Sequence, residues 1–229
     1  ADFYYNNVLM NTYIIHFSNK YKIKKFIAAS STTAFPTDYK DFVEDDMHKG
    51  EPYGIHFAYA YSKRALDVQI RAYNKQHNTN YCSVISGNLF GPHDNYNLRG
   101  GNVLPSLMHK LFLAKKNQTP LNVWGDGSAQ REFIFSLDLA KIYLNLLDLD
   151  TPLPDKILVS THNEFSIKDM AYKMAKLFNF NGDIVFSPNK TNGQIRKKSQ
   201  SPRLKNLLPD NQFTNLDESL LKTFEWFAN

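Results

Sequence analysis

Two short apolar runs, each preceded by a helical pattern, constrain the fold more than any other feature of the sequence. Lys25-Phe26-Ile27-Ala28-Ala29-Ser30 follows a stretch from Asp2 to about Lys20 in which Phe3, Val8, Leu9, Ile14, Ile15 and Phe17 recur at roughly helical spacing. Tyr81-Cys82-Ser83-Val84-Ile85-Ser86 follows a longer pattern from Ala58 to Gln76, rich in helix formers such as Lys63, Arg64, Ala65, Leu66 and Gln69. A continuous apolar run bounded by turn residues reads as a strand buried on both faces. Helix, strand, helix, strand in that order requires right-handed crossovers between parallel strands, so the fold class is α/β in layers.

The rest of the chain is looser. The spacing predicts helices over 102–116, from Leu137 to about 149, from a capping-box-like Ser166-Ile167-Lys168-Asp169 start to 178, and over 204–208 and 216–227. Strands are expected at 121–124, 132–135, 156–160 and 183–186, a tight turn at Gly125-Asp126-Gly127-Ser128, and a polar loop from 187 to 201. With 229 residues, the length fits one large domain or two small ones, and 42% hydrophobic content is enough for a sizeable core. The charge balance of +5 is small and scattered, its densest cluster being Arg196-Lys197-Lys198, so a nucleic-acid partner is not expected. A single cysteine, Cys82, excludes an internal disulfide framework or a cysteine-based metal site and suits a reducing, cytoplasmic setting. No apolar run approaches the roughly 18 residues of a membrane span, and the first residues lack signal-peptide grammar, so no membrane partner is expected. The chain starts without Met inside a helical pattern, which suggests a fragment.

One constellation points to chemistry. Ser31 ends the first apolar run, and Tyr59-Ala60-Tyr61-Ser62-Lys63 lies 28 residues later on the long helix. A Tyr and a Lys four apart share a helical face, so the ammonium can sit beside the phenol and favour its ionised form. Such a phenol can exchange a proton with a substrate oxygen that a strand-end serine holds, while hydride moves at the adjacent carbon. With 13 tyrosines in the chain, a surface Tyr above a solvated Lys is the plainer alternative.

Context favours the chemical reading. Ser31-Thr32-Thr33-Ala34-Phe35-Pro36, Tyr59-Ala60-Tyr61-Ser62-Lys63-Arg64, Asn88-Leu89-Phe90-Gly91-Pro92-His93-Asp94-Asn95 and Val123-Trp124-Gly125-Asp126-Gly127 with Arg131-Glu132-Phe133 occur in this order. Together they resemble the extended short-chain dehydrogenase/reductase superfamily and, within it, the GDP-L-fucose synthase family, over essentially the whole chain. The resemblance implies a Rossmann-like parallel sheet whose N-terminal strands are missing, with a smaller C-terminal α/β substrate-binding part. It places a partial dinucleotide-binding domain at 1–95 and the substrate part at 96–229, with segments around 131–160 returning to the first. It also implies NADP(H) as cofactor, a GDP-sugar as substrate and a homodimer. The dimer would form through a bundle containing the Tyr-Lys helix, where Ala65, Val68 and Ala72 serve either that face or internal packing.

Carried over by position, Ser31, Tyr59 and Lys63 match the family's catalytic residues. Ala29, Ser30, Ser31, Thr32, Ser86, Gly87, Asn88, Leu89 and Asn102, with Tyr59 and Lys63, match segments that contact the cofactor. Asn88, Lys110, Trp124, Arg131, Asn192 and Lys197 fall where the family contacts the GDP-sugar. Cations answer phosphate and an indole offers a flat face, although packing for Trp124, a surface ion pair for Arg131 and a solvated loop for residues 196–198 are the plainer alternatives.

Two departures matter. The family's epimerising cysteine and histidine are replaced by Thr33 and Asn102, neither of which can exchange a proton near neutrality. His93 and His109 read as a loop-turn and a helix-surface residue, with a shifted acid–base geometry as the alternative. The ten glycines include no G-x-x-G-x-x-G triplet, so weak or absent NADP(H) binding by these residues alone is expected. The expectation is an NADPH-dependent reductase of a GDP-4-keto-6-deoxy-hexose, with or without epimerisation. A reductase of another nucleotide 4-keto sugar and a non-catalytic module that keeps the fold are the alternatives.

Overall fold

The computed structural model of the chain describes residues 1–37, 41–98, 100–187, 196 and 198–228. They fall into two compact units with interleaved segments: 1–87, 139–162 and 198–211 form the first, and 88–138, 163–197 and 212–229 the second.

In the first unit, helix α1 (Asp2–Lys20) leads to strand β1 (Phe26–Ser31), and β1 to the short strand β2 (Asp41–Phe42), while helix α2 (Phe57–His77) leads to β3 (Tyr81–Ser86). β3 lies between β1 and a later strand of this unit at Lys156–Leu158, all parallel, with Phe26 opposite Tyr81, Ser31 opposite Ser86 and Ser83 opposite Lys156. All six residues of β3 are buried, as its unbroken apolar run requires. Sequestering Val84 and Ile85 contributes about 2 kcal/mol each. One layer of the core joins Ile15 of α1, Ala28 of β1, Leu66 and Ile70 of α2, and Tyr81 of β3. The ordering of α2 is helped at its end by Asn78 in the left-handed region at φ 52° and by Asn74, whose side chain donates to Tyr81 O at 2.7 Å and accepts from Tyr81 N at 3.0 Å.

In the second unit, β4 (Asn88–Phe90), α3 (Val103–Asn117), β5 (Leu121–Trp124) and β6 (Gln130–Phe135) come first. Helix α4 (Ser136–Asp148) follows and runs back into the first unit, which also holds β7 (Lys156–Leu158), the third strand beside β3. The second unit resumes with β8 (Glu164–Ser166), α5 (Ile167–Leu177) and β9 (Ile184–Ser187). The first then adds β10 (Lys198–Ser199) and α6 (Pro202–Leu207), and the second closes with α7 (Leu216–Ala228). β6 pairs parallel with β4 and antiparallel with β8, β5 pairs parallel with β9, and β10 pairs parallel with β2. The core of the second unit gathers Leu107 and Leu111 of α3, Phe133 of β6, Met170 and Met174 of α5 and Leu220 of α7. Ser166 caps α5 by accepting from Asp169 N at 2.9 Å, as its sequence predicts. Among the described residues, no helix is long and apolar enough to cross a membrane.

Most expected elements lie within two residues of their predicted bounds. The stretch expected as one loop from 187 to 201 contains β10, and the strand expected over 156–160 stops at Leu158, beyond which Ser160 Oγ donates to Ser199 O at 3.0 Å.

Candidate active site

The carboxyl end of β1 delivers Ser31 directly into a 3-10 turn, Thr32–Ala34, and Ser31 caps that turn by accepting from Thr33 N at 3.2 Å. The Ser31 hydroxyl in turn donates to Thr33 Oγ1 at 3.0 Å. Tyr59 stands in the first turn of α2, half-buried, and its phenol has the Ser31 side chain as hydrogen-bond partner. One helical turn on, Lys63 is 7% exposed, its Nζ donates to Ala29 O at 3.0 Å and lies 5.4 Å from the centroid of the Tyr59 ring. The three residues picked out by spacing are therefore brought together.

Their electrostatics differ from the sequence-based expectation. The Lys63 ammonium lies over the Tyr59 ring, and burial pushes the Tyr59 pKa above its ordinary 10, with the Ser31 hydrogen bond offsetting part of that rise. Burial likewise lowers the Lys63 pKa from its ordinary value. Burial thus favours the protonated phenol of Tyr59, beside a cation over its ring.

Arg64, which residue spacing passed over, fixes this geometry from below. Its buried guanidinium donates from Nε to Ala34 O at 2.7 Å and from Nη2 to Gly50 O at 2.6 Å, tying the turn after Ser31 to the helix that carries Tyr59. The available signal was an arginine directly after the Tyr-Lys pair, on a helix face that the chain buries.

The residues expected to contact a cofactor lie mostly at strand ends. Ser86 lies opposite Ser31 across the sheet, Ala29 is exposed, Thr32 and Gly87 are half-buried, and Ser30 is buried with its hydroxyl lacking any hydrogen-bond partner among the described residues. Asn88 and Leu89 lie in β4 of the second unit, where Asn88 Nδ2 donates to Glu132 O at 2.9 Å. Asn102 stands exposed just before α3, and its side chain makes no capping bond.

Lys110, Trp124 and Arg131 converge on a cavity of about 250 Å³ within the second unit, also lined by Val103, Ser106 and Leu107 of α3, Val123, Gly127 and Ala129. Lys110 Nζ sits 3.9 Å from the Trp124 ring centroid, and burial lowers its pKa. Arg131 Nη1 donates to Gln130 O at 2.7 Å. Gly127 is at φ 79°, and a Cβ there would lie 2.8 Å from Phe186 and 2.9 Å from Lys168, so the bend that opens this cavity requires glycine. Sequence reasoning named Lys110 alone on α3, although Val103, Ser106, Leu107 and Lys110 share one face at i, i+3, i+4 and i+7. Asn192 and Lys197 lie outside the described residues. His93 adopts φ 65° with its ring 4.5 Å from that of Trp226. His109 packs 5.3 Å from Phe227, with Nδ1 2.8 Å from Tyr96 O, so it is engaged in packing rather than set on a helix surface.

Residues 1–159 match the NAD dependent epimerase/dehydratase family. Across its whole length the chain is 35% identical to a GDP-L-fucose synthase of Dictyostelium discoideum, covering 72% of that protein. The chain belongs to the GDP-L-fucose synthase family. Over 99% of its length it is also 32% identical to a probable GDP-L-fucose synthase of Drosophila melanogaster, covering 73% of that relative. The fold of the family is reproduced closely. The crystal structure of a GDP-L-fucose synthetase from Naegleria fowleri bound to NADP superposes with a TM-score of 0.93 at 36% identity, covering 99% of this chain and 73% of that one.

Proposed function

We propose that these residues carry the reduction site of an NADPH-dependent reductase of a GDP-linked 4-keto-6-deoxy-hexose that acts without epimerisation. The observation that carries this reading is the convergence of Ser31, Tyr59 and Lys63 at the carboxyl end of a parallel sheet, where open α/β folds bind their ligands.

The strand ends fit the nicotinamide-ribose end of the cofactor. The Ser30 hydroxyl is a buried polar group awaiting a partner, and the Lys63 ammonium has three donors, of which Ala29 O takes one. The 229 residues hold no glycine-rich turn for the pyrophosphate, so they account for one end of the dinucleotide alone. NADPH, when bound, supplies the hydride. Ser31 and Tyr59 hold the ketone oxygen, and the protonated phenol gives its proton to that oxygen as charge develops there. Lys63, on the ring face, stabilises the phenolate left behind. In the second unit, Lys110 and Arg131 supply cations for a diphosphate and Trp124 a face for a base or sugar. Thr33 and Asn102 hold no proton that titrates near neutrality, and for that reason the carbons beside the ketone keep their configuration.

Support for a homodimer comes from α1 and α2. Phe3, Met10, Tyr13 and Phe17 are exposed on α1 and Val68 on α2, an aromatic-rich surface for a second copy.

The test is NADPH oxidation by the gene product that contains these residues, with GDP-4-keto-6-deoxy-D-mannose and other nucleotide 4-keto sugars. Tyr59→Phe is expected to lower turnover by about 10²- to 10³-fold, the range for loss of a general acid. Turnover of Tyr59→Phe equal to the parent's, or no oxidation with any sugar of the panel, would overturn the reading.

A further inference from the structure

The loop between β4 and α3 forms one wall of the cavity around Lys110 and Trp124, through Leu98 and Gly101, yet the groups that hold this loop lie outside the cavity. Tyr96 is its fixed point. The phenol donates to Gly91 O at 2.9 Å, and Tyr96 O accepts from His109 Nδ1 of α3 at 2.8 Å. The Tyr96 ring stacks on two rings in the last turn of α7, Phe227 at 4.4 Å and Trp226 at 5.9 Å between centroids, and Trp226 also meets the His93 ring at 4.5 Å. From Tyr96 the order passes to the wall. Asn97 O accepts from Gly101 N at 2.8 Å, Asn95 Oδ1 accepts from Asn97 N at 3.0 Å, and a Cβ at Gly101 would run into the Asn95 and Asn97 carbonyl oxygens.

We propose that Tyr96 and Trp226 are positioning residues for this cavity: the aromatic end of α7 clamps Tyr96, and Tyr96 sets the wall that Leu98 and Gly101 present to a ligand. The clamp stands on geometry alone, whereas its effect on a GDP-sugar rests on the reading of the cavity given above. Neither Tyr96 nor Trp226 lines the cavity, and both act through the loop. His93, Asn95 and Asn97 are exposed, so the loop has little apolar burial of its own and takes its order from Tyr96. A ligand that needs the wall binds only molecules in which the wall is in place, so loosening the clamp lowers apparent affinity by the fraction lost and leaves hydride transfer unaltered.

Trp226 is 39% exposed and stands outside the buried cluster of this unit, so truncating it strips ring contacts from the loop and leaves the core in place. The test compares Trp226→Ala with Trp226→Phe in the gene product that contains these residues. Trp226→Ala removes two ring contacts, each worth roughly two- to tenfold in an equilibrium. Amide hydrogen exchange over residues 94–98 is expected to quicken roughly tenfold, with exchange in β6 and α5 unchanged. GDP, titrated by calorimetry, should bind roughly threefold or more weakly, and KM for the sugar nucleotide should rise with kcat nearly unchanged. Trp226→Phe keeps a ring and should return exchange and affinity close to the parent values. Unchanged exchange in Trp226→Ala overturns the proposal, as does quickened exchange with parental GDP affinity, or Trp226→Phe behaving as Trp226→Ala. A parent that binds no GDP, with exchange still quickened in Trp226→Ala, would uphold the clamp and remove the nucleotide reading of the cavity instead.

Discussion

A phenol that must give up a proton has to hold one first, and the surroundings of Tyr59 secure that. Burial dominates and raises its pKa, while Ser31 offsets part of the rise and Lys63 waits on the ring face for the charge that appears later. Because the folded pKa lies above the ordinary 10, the protonated form needed for reduction persists through neutral pH and is lost only as pH rises beyond that value. The pH profile of kcat/KM for reduction should therefore stay flat on its basic side up to about 10, within the range where the protein remains folded. A basic limb close to neutrality would mean that the phenol ionises early, as a lysine beside its oxygen would cause. The Tyr-Lys spacing revealed the pair and its shared face. How strongly the cation acts on the phenol depends on side-chain rotamers, on burial and on Ala29 O competing for the ammonium, none of which spacing carries.

At the scale of elements, α2 is the beam on which the site is built. Along one helix, Tyr59 faces Ser31, Lys63 reaches back to β1, Arg64 ties down the turn after Ser31, and Asp67 anchors the loop and β7. Asp67 has no exposed surface and meets His48 at 2.8 Å, Arg71 at 2.9 Å and Lys156 at 3.2 Å. Burial alone would raise its pKa, but Lys156, His48 and Arg71 outweigh burial and hold the carboxyl below its ordinary range. A depressed folded pKa contributes stability above the unfolded carboxylate value near 4, and that contribution is lost as pH falls through the folded value. Asp67→Asn should cost on the order of 3 kcal/mol at neutral pH by denaturant unfolding, because it strands buried Lys156 without its anion. The penalty should shrink in acid, and a variant as stable as the parent at neutral pH would contradict this. α2 and β3 were legible because a 21-residue helix and a six-residue apolar strand each repeat their pattern often enough to be read. β2 and β10 span two residues each, too few to show any period, and they pair across more than 150 residues of chain.

At the scale of the whole molecule, the chain leaves each unit and re-enters it, so contiguous sequence is a poor guide to compact structure. The resemblance carried the family and the fold because the motifs sit where its chemistry is held. The cavity around Lys110 and Trp124 was legible only at the residues that carry charge or an indole. Leu107 and Val123, which complete it, look like any core residue. Val68 is 50% exposed in the middle of α2, the helix expected to form the proposed dimer face. Val68→Glu should convert the proposed dimer to a monomer in sedimentation equilibrium without lowering the unfolding midpoint of the monomer. An unchanged mass would remove that surface from the interface.

The central claim is that this site reduces a ketone and leaves the neighbouring carbons alone. It is tested most directly by NMR of the product formed in D2O from the GDP-4-keto-6-deoxy sugar with NADPH deuterated at the transferred position. The account predicts cofactor-derived deuterium at the former ketone carbon and protium on both carbons beside it, in excess of any exchange seen without enzyme. Enzyme-dependent solvent deuterium at either neighbouring carbon, or none from the cofactor at the ketone carbon, would contradict it.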